Sequence, residues 1–280
     1  MHSEKIIPDK KVSIIIPCYN QGKFVGDAIA SALNQSYKNI EIVCVNDGSK
    51  DNSTEIIRNF ADKYKNIVFF DLKENKGVIN ARNFAIEASL GDYILPLDAD
   101  DIIESTYVEK AVEILDKNSE IGIVYCKAGK FGKKNEFWNL AKFNLDDFLY
   151  ENCIFNCALF RKKDFVKAGK YKENLNNGHE DWDLWLSIIE LGLQPYCINE
   201  ILFNYRQHEN LRTKVSFEDS SWKFNIFQNH KNLYINNKKF ILNAFENNSW
   251  IKKELKKYKK LFYYSIILWT ILFILLLWSI

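Results

Sequence analysis

The stretch VSIIIPCYNQGKFVGDAIASALNQSYKNIEIVCVNDGSKDNSTE, residues 12–55, contains two short apolar, β-branched runs separated by a helical pattern. The runs VSIIIP (residues 12–17) and IEIVCV (residues 40–45) are typical of strands buried on both faces of a parallel sheet. The apolar side chains between them recur at the spacing of one helix face. A strand, a helix and a second strand in this order predict a βαβ crossover, and hence an α/β fold.

The same alternation continues as far as the acidic sequence DADD, residues 98–101. The apolar spacing predicts helices at residues 52–64 and 77–88 and strands at residues 67–70 and 93–97. Farther along, where the pattern is less regular, it predicts helices at residues 105–117 and 180–191 and strands at residues 121–126, 156–160, 195–198 and 201–206. The alternation of strands and helices in the first half of the pattern, up to residue 101, predicts a mostly parallel sheet that is covered by helices on both faces.

Composition excludes several classes of protein. The chain has 280 residues, of which 47% are hydrophobic, and this is enough to bury a sizeable core. The formal net charge of +2 excludes the basic field that is typical of nucleic-acid-binding proteins. The six cysteines lack the paired C-x-x-C spacing of a zinc site. We interpret them, including the closest pair, Cys153 and Cys157, as reduced core thiols in a reducing compartment.

The two ends of the chain differ in polarity. Residues 1–11 are polar and lack the apolar run of a secretory signal, so we expect the folded domain to stay in the cytoplasm. Residues 261–280, LFYYSIILWTILFILLLWSI, carry no charge and would extend about 30 Å as a helix, the thickness of bilayer hydrocarbon. Because this segment is apolar on every face, it predicts a transmembrane helix rather than a buried core helix.

A cluster of lysines lies directly before this apolar segment: Lys252, Lys253, Lys256, Lys257, Lys259 and Lys260. Lysines next to an apolar span favour the cytoplasmic side of the membrane. The predicted organisation therefore has three parts: an α/β domain (residues 1–213), a helical, basic juxtamembrane region (residues 214–260) and a single transmembrane segment (residues 261–280).

Three polar clusters follow strands of the predicted sheet, at residues 18–22, 46–49 and 98–101. Each cluster alone is typical of ordinary turns or solvated loops. Ligands of open α/β sheets bind beyond the carboxyl ends of the strands, so three such clusters in order predict one shared crevice.

The residue types in this crevice fit a nucleoside diphosphate. Asp98 and Asp100 offer the oxygen ligands that Mg²⁺ or Mn²⁺ prefers, and such ions keep open positions for phosphates. Asp47 can accept the ring N–H of a pyrimidine, and Tyr19 can lie against the face of a base. Arg82 has two candidate roles: it supplies charge to a phosphate, or it locks the acidic loop.

These motifs resemble those of the family 2 glycosyltransferases, which have the GT-A fold. The resemblance rests on the run at residues 12–55 and on NKGVINARNFAIEASLGDYILPLDADD at residues 75–101. The motifs are P-x-Y-N, D-G-S-x-D-x-S, N-x-G-x-x-x-A-R-N and D-A-D-D, in that order, and the similarity extends over about residues 11–208. It implies a GT-A nucleotide-binding α/β domain, followed here by C-terminal helices.

The resemblance also implies roles for individual residues. A nucleoside pocket, usually for UDP, would be formed by Pro17, Tyr19, Asn20 and Asp47. Three further residues would lie beside the nucleotide: Gly77, Arg82 and Asp98. A divalent cation, Mn²⁺ or Mg²⁺, would be held under the diphosphate by Asp100, Asp98 and His208.

A second block, NGHEDWDLWLSIIELG at residues 177–192, resembles the Glu-Asp motif of the same family. The resemblance implies that Asp181 is the general base that faces the acceptor, and that Glu180 orients the acceptor, although the two roles can be exchanged. The alternative is that both acids only stabilise a helix start. Trp182 and Trp185 are either sugar-stacking residues or core residues.

The resulting hypothesis is an inverting, metal-dependent transfer of a sugar from a nucleotide-sugar, most often a UDP-sugar, to a glycan or lipid-linked acceptor. Such an activity belongs to polysaccharide biosynthesis. One alternative is a catalytically inactive, membrane-anchored module that binds glycans. Another is a sugar nucleotidyltransferase, although the chain has no glycine-rich phosphate loop. The acceptor stays open because residues 129–156 contain no recognisable motif.

Overall fold

The computed structural model describes residues 10–175, 178–208 and 221–247, together with residues 256 and 260. The chain divides into two units between His230 and Lys231. The first unit contains a nine-stranded sheet and the helices that cover it.

The first half of the sheet alternates strands with helices. Its strands are β1 (Val12–Cys18), β2 (Ile40–Asp47), β3 (Ile67–Leu72) and β4 (Tyr93–Pro96). Its helices are α1 (Val25–Leu33), α2 (Ser53–Lys63) and α3 (Val78–Ala88). Each of these elements overlaps a predicted one, so the predicted βα units are confirmed.

The second half is built from shorter elements. Its strands are β5 (Ile102–Ile103), β6 (Ile121–Gly132), β7 (Glu136–Trp138), β8 (Leu159–Arg161) and β9 (Gln194–Gln207). Its helices are α4 (Tyr107–Lys117), α5 (Leu145–Phe148), α6 (Lys162–Lys167), a 3₁₀ turn (Glu173–Leu175), α7 (Glu180–Glu190) and α8 (Ser221–Asn229). The second unit contains α9 (Lys231–Asn236) and α10 (Lys238–Asn247).

The sheet is mixed, which corrects the prediction of a mostly parallel sheet. The strand order is β3-β2-β1-β4-β8-β6-β9-β5, and β7 pairs with β6. Strands β1 to β4 are parallel, as are β6 and β9, but β8 runs antiparallel to both of its neighbours. The prediction failed here because strands of two or three residues, such as β5 and β8, are too short to show a periodic pattern.

Two predicted strands, at residues 195–198 and 201–206, form one continuous strand, β9. It pairs with β6 along its whole length, and the register shifts between Cys126 and Lys127, opposite the polar pair at residues 199–200. Such a shift is the mark of a β-bulge, which accommodates extra residues without ending the strand. The polar interruption that we interpreted as a break between strands is therefore a bulge.

A small polar cluster lies inside the otherwise apolar centre of the sheet. Every residue of β1 and β2 is buried. Ser13 donates a hydrogen bond to Glu41 at 2.5 Å and accepts one from the backbone N–H of Gly91 at 2.8 Å. The backbone N–H of Leu90 donates to the same carboxylate. These bonds join β1 and β2 to the turn before β4, so each buried polar group has a partner.

All six cysteines are free thiols, and five of them are buried. The predicted core thiols are therefore confirmed for these five, whereas Cys197 is exposed. Burial raises the pKa of the Cys153 thiol to about 11, which keeps it protonated and unreactive at neutral pH.

The predicted single-pass membrane topology, with its transmembrane helix and membrane localisation, is not supported and is corrected. Within the described ranges, no helix is long and apolar enough to cross a bilayer. The longest helices there, such as α4, have 11 residues and extend roughly 17 Å, about half of the hydrocarbon thickness. The segment at residues 261–280, on which the prediction was based, lies outside the described residues.

The close approach of Gly91 to β1 generates a stability prediction. A Cβ atom at Gly91 would lie 2.6 Å from the backbone nitrogen of Ser13, so Gly91→Ala should lower the free energy of unfolding by about 1–3 kcal/mol. Gly26→Ala is the matched control, because a Cβ atom there meets its nearest neighbours at 3.7 Å. The control should be neutral or stabilising by up to about 1 kcal/mol. Equal midpoints of thermal unfolding for the two variants would contradict this account.

Candidate functional site

The loops after β1 and β2 are joined by hydrogen bonds. Asn20 has a left-handed backbone, with φ of 53°, and its N–H donates to Ser49 Oγ at 2.9 Å. Its side-chain oxygen accepts from the N–H of Lys50 at 2.7 Å. Tyr19, directly before it, is 45% exposed, so its ring is available to a ligand. The first two predicted clusters therefore meet, and Pro17 is the second-last residue of β1.

Asp47 holds the chain in place before α3. Its buried carboxylate accepts hydrogen bonds from the backbone N–H groups of Lys76 and Gly77, each at 2.9 Å. Gly77 has a φ of 88°, a conformation that favours glycine, and it starts the helix that carries Arg82. The structure thus brings Asp47 and Gly77 into contact. The contact of Asp47 with a pyrimidine ring stays a prediction.

Arg82 lies at the centre of the site and is almost fully buried. Its Nη1 donates to Glu180 at 2.6 Å and its Nη2 to Asp98 at 2.5 Å. Burial alone would lower the pKa of this guanidinium, but the two carboxylates raise it above its ordinary value. Arg82 therefore joins α3, the acidic loop after β4 and the start of α7. These are the contacts of a residue that locks the acidic loop.

The acidic side chains of the loop after β4 have different partners. Asp98 pairs with Arg82 and keeps 38% of its side chain exposed. Asp100 Oδ2 lies 2.8 Å from Nε2 of His208. Burial and the charge of Asp98 raise the pKa of Asp100, against the lowering effect of His208. Asp101 is buried and accepts a hydrogen bond from the N–H of Arg206.

The structure brings Asp100 and His208 together, as predicted for a metal site, but Asp98 is engaged by Arg82. In the part of the chain that the structure describes, no three side chains of His, Cys, Asp or Glu converge on one metal position. A closed protein cage for a metal is therefore excluded for those residues. The donor set fits an ion that shares few protein ligands with substrate phosphates, as Mg²⁺ does.

Arg206 is a site residue that the sequence analysis did not identify. Its Nε donates to the backbone oxygen of Asp100 at 2.7 Å, and its Nη2 pairs with Asp27 at the same distance. The guanidinium also lies over the rings of Phe24 and Phe131. Arg206 thereby fixes the acidic loop against α1 and β9. Its place two residues before His208, a predicted metal ligand, was the available signal.

The two acids at the start of α7 have different environments. Glu180 is buried and bound to Arg82, whereas Asp181 is half-buried and lines a cavity. The Asp181 carboxylate accepts from Asn152 Nδ2 at 3.4 Å and from the N–H of Trp182 at 2.7 Å. Burial, together with the charge of Glu180, raises the pKa of Asp181 to about 7. Asp181 therefore changes its charge near neutral pH.

Both tryptophans of α7 are core residues. Trp182 donates its indole N–H to the backbone oxygen of Phe148 at 2.9 Å, and Trp185 donates to that of Ile154 at 3.1 Å. Each side chain is almost fully buried, so neither ring is open to a sugar. Their function in the fold is to hold the segment that carries Asn152, a residue that no sequence motif indicated.

One cavity of about 520 Å³ connects the acidic residues. Five of the predicted site residues line it: Arg82, Asp98, Asp100, Glu180 and Asp181. Four aromatic side chains that pack on one another also line it: Trp138, Phe155, Phe203 and Tyr205. The other predicted residues are not among its lining: Pro17, Tyr19, Asn20, Asp47, Gly77 and His208. Of these, His208 touches the cavity wall through Asp100.

Comparisons with known proteins agree with this geometry. An uncharacterised glycosyltransferase of Rickettsia typhi is 35% identical over 218 residues, which cover 73% of this chain and 66% of the relative. The fold resembles that of S. aureus TarS 1–349, with a TM-score of 0.69 and 18% identity over 81% of this chain and 67% of that fragment. It also resembles a mannosyltransferase of Pyrobaculum calidifontis, with a TM-score of 0.58 and 15% identity over 90% of this chain and 80% of that one.

The chain thus spans slightly less than two thirds of the Rickettsia relative's length. The model of the family described as glycosyl transferase family 2 matches residues 13–185, which is more than half of the chain and includes both the acidic loop and the start of α7. These two structural neighbours have the same GT-A-like fold. The protein is therefore a member of glycosyl transferase family 2.

Proposed function

We propose that the protein transfers a sugar from a UDP-sugar to a hydroxyl group of a glycan acceptor, with inversion at the anomeric carbon and with a divalent cation. The observation that carries this proposal is the pairing of two features in one cavity. Asp181, with a pKa of about 7, lines the same cavity as the carboxylates of Asp98 and Asp100. A base and an acidic diphosphate site across one cavity are the two parts that this displacement needs.

Two kinds of observation support a nucleotide-sugar donor: the ligands of structural neighbours and the residues of this chain. TarS of S. aureus has been crystallised with UDP-GlcNAc and with UDP, and the Pyrobaculum mannosyltransferase with GDP-Man and Mn²⁺. In this chain, the exposed ring of Tyr19 and the carboxylate of Asp47 lie on the joined loops after β1 and β2. An aromatic face and an acceptor for a ring N–H suit uracil, which favours UDP as the nucleotide.

Asp100 and His208 are the residues that would hold a divalent cation, together with the exposed oxygen of Asp98. A carboxylate oxygen and an imidazole nitrogen 2.8 Å apart suit Mn²⁺ or Mg²⁺. Burial, and after it the charge of Asp98, raises the pKa of Asp100, and a bound cation would compensate this negative charge. A bound cation would supply charge to stabilise the leaving diphosphate. Arg82 contributes by holding Asp98 in a fixed position.

The remaining chemistry belongs to Asp181. Its carboxylate takes the proton of the acceptor hydroxyl while the hydroxyl oxygen forms a bond to the anomeric carbon. The bond from that carbon to the diphosphate oxygen breaks, and the electron pair leaves with the nucleoside diphosphate. Attack from the side opposite the leaving group inverts the configuration. A base with a pKa near the working pH is suited to this step.

Glu180 is less suited to act as the base than its neighbour. Its carboxylate is bound to the Arg82 guanidinium at 2.6 Å, and this pairing stabilises the anion and makes it a weaker base. The two groups that donate hydrogen bonds to the Asp181 carboxylate, the side-chain amide of Asn152 and the backbone N–H of Trp182, are neutral. We therefore assign the proton transfer to Asp181 and a positioning role to Glu180.

The first functional prediction concerns Asp181→Asn. The amide keeps the size of the side chain but cannot accept a proton, so sugar transfer should fall by about 10²-fold or more while UDP affinity is retained. Transfer kinetics and calorimetric titration with UDP measure the two effects separately. If Asp181→Asn is active and Glu180→Gln is inactive, the two roles are exchanged. Full activity of both variants means that the acids only stabilise the helix start.

The second prediction concerns pH. Asp181 must be deprotonated to act as a base, and its raised pKa lies at about 7. The apparent second-order rate constant kcat/KM should therefore be constant above this pKa and fall about tenfold per pH unit below it. A pH profile of transfer in constant ionic strength measures this. A rate that stays constant down to pH 5 would exclude Asp181 as the base.

The third prediction tests the donor and the cation together. Purified protein should hydrolyse UDP-sugars slowly with Mn²⁺ and lose this activity in EDTA. Asp100→Asn should weaken UDP binding in Mn²⁺ by about tenfold or more, because a ligand of the cation is lost. Asp62→Asn, an exposed residue of α2, is the control and should behave as wild type. UDP affinity that is independent of Mn²⁺ in the wild-type protein would contradict the metal assignment.

A rival function is a catalytically inactive module that binds glycans. The same hydrolysis assay separates the two, since such a module would bind sugars without consuming a nucleotide-sugar. A sugar nucleotidyltransferase would instead release a sugar nucleotide from a nucleoside triphosphate. The position of a half-buried base beside the diphosphate side of the cavity favours sugar transfer over both alternatives.

A further inference from the structure

A second cavity lies next to the one that contains Asp181. It has a volume of about 460 Å³ and is lined by residues of the segment 138–153, which runs from the end of β7 through α5. Four lining residues belong to both cavities: Trp138, Leu140, Asn152 and Cys153. Volumes of this size are typical of sites for small ligands. We call this space the second cavity.

The second cavity lies on the side of the proposed base. Asn152 lines both cavities, and its Nδ2 lies 3.4 Å from Asp181 Oδ2. The acidic residues of the expected diphosphate site, Asp98 and Asp100, line only the first cavity. A molecule that extends from Asp181 into the second cavity therefore leads away from the diphosphate. This is the position of an acceptor and not of a donor.

The walls of the second cavity are attached to the helix that carries the base. The backbone oxygen of Phe148 accepts the indole N–H of Trp182. Asn144 caps α5, because its side-chain oxygen accepts from the backbone N–H groups of Asp146 and Asp147 at 3.0 and 3.4 Å. A wall that is held before a ligand arrives loses little conformational entropy on binding. The cavity is thus a preformed feature next to Asp181.

The lining has the chemistry of a sugar site. Trp138 is half-buried and Tyr150 is 46% exposed, so both present aromatic surface against which the C–H face of a sugar ring can pack. Polar groups that can bond to hydroxyls surround them: Asn139, Asn144, Asp147, Glu151 and Asn152. Amides and carboxylates together supply the donors and acceptors that a hydroxyl-rich ligand needs.

The charges of the lining select against an anionic ligand. The described lining contains two carboxylates, Asp147 and Glu151, but one cation, Lys142. Recognition of phosphate or carboxylate groups typically uses arginine, and no arginine is among these lining residues. A chain of phosphodiesters or uronic acids would meet like charges here, which lowers affinity and on-rate. A neutral sugar meets no such penalty, and an amino sugar gains attraction.

We infer that the second cavity binds the sugar unit next to the one that is glycosylated, and that this unit is uncharged or carries an amino group. The acceptor is then an oligosaccharide of at least two units, whose reacting hydroxyl lies at Asp181. This inference rests on the proposed function, since it assigns the acceptor side of the same site.

The test compares Tyr150→Ala with Tyr196→Ala. Both tyrosines are 46% exposed, but Tyr196 lies on β9 and lines neither cavity. Saturation-transfer NMR on the full chain would measure binding of a neutral monosaccharide, of neutral and amino-sugar trisaccharides, and of an oligouronate. Wild-type protein and Tyr196→Ala should bind the neutral and amino-sugar trisaccharides more tightly than the other two probes. Tyr150→Ala should bind them about tenfold more weakly.

A second variant keeps the test decisive if Tyr150→Ala does not fold. Glu151→Lys reverses one charge of the lining and should raise the affinity for the oligouronate relative to the neutral trisaccharide. The inference is overturned if Tyr150→Ala and Tyr196→Ala bind the trisaccharides alike. It is also overturned if the wild-type protein prefers the oligouronate or binds none of the oligosaccharides.

The observation that would contradict the proposed function is a different one. Hydrolysis of UDP-sugars with Mn²⁺ by the wild-type protein depends on the donor side and needs no oligosaccharide. Hydrolysis combined with no preference for chain length or charge would overturn only the inference about the second cavity. Oligosaccharide binding without any consumption of a nucleotide-sugar would instead support the rival binding module and overturn the proposed transfer.

Discussion

The arrangement of the site depends on one buried cation. A guanidinium that is removed from water without partners is strongly destabilising, so Arg82 must lie between carboxylates. Its two partners come from distant parts of the chain, Asp98 from the loop after β4 and Glu180 from the start of α7. Removing one partner of such a buried group typically costs about 3–5 kcal/mol. The loop after β4 and the start of α7, which are the proposed donor and acceptor sides of the cavity, are therefore held together by the same electrostatic requirement.

This requirement also explains why two adjacent acids have different properties. Glu180 is used to neutralise Arg82, and it remains a negative charge next to Asp181. Among the described residues, those that donate hydrogen bonds to Asp181 do so through neutral groups, and burial and the neighbouring charge raise its pKa to about 7. One carboxylate is thus a structural anion and the other a group that exchanges a proton at neutral pH. Pairs of acids whose environments separate their pKa values are a common way to divide such roles.

How much of the fold and of the candidate site could be predicted from the sequence depends on how far apart the interacting residues lie in the chain. The strands β1 to β4 were predictable because a strand buried on both faces requires a continuous apolar run. Asp47, Asp98 and Asp100 were identified because loops after parallel strands meet at one edge. The strand β8 overlaps its predicted range, but its antiparallel direction was missed because so short a strand carries no pattern. The pairing of Arg82 with Glu180 joins residues 98 positions apart. No local signal specifies such a contact.

The acceptor side was the least predictable part, and the reason lies in the chemistry of recognition. A diphosphate with a cation requires carboxylates at fixed positions, so it leaves short motifs in the sequence. A sugar is bound by aromatic surface and by many interchangeable amides and carboxylates, and residues 138–153 supply these without a motif. What positions them is the pair of indole N–H groups of Trp182 and Trp185, two buried residues of the helix that carries the proposed base. The geometry of the proposed acceptor side is therefore encoded in the core of α7 rather than in the residues that line the cavity.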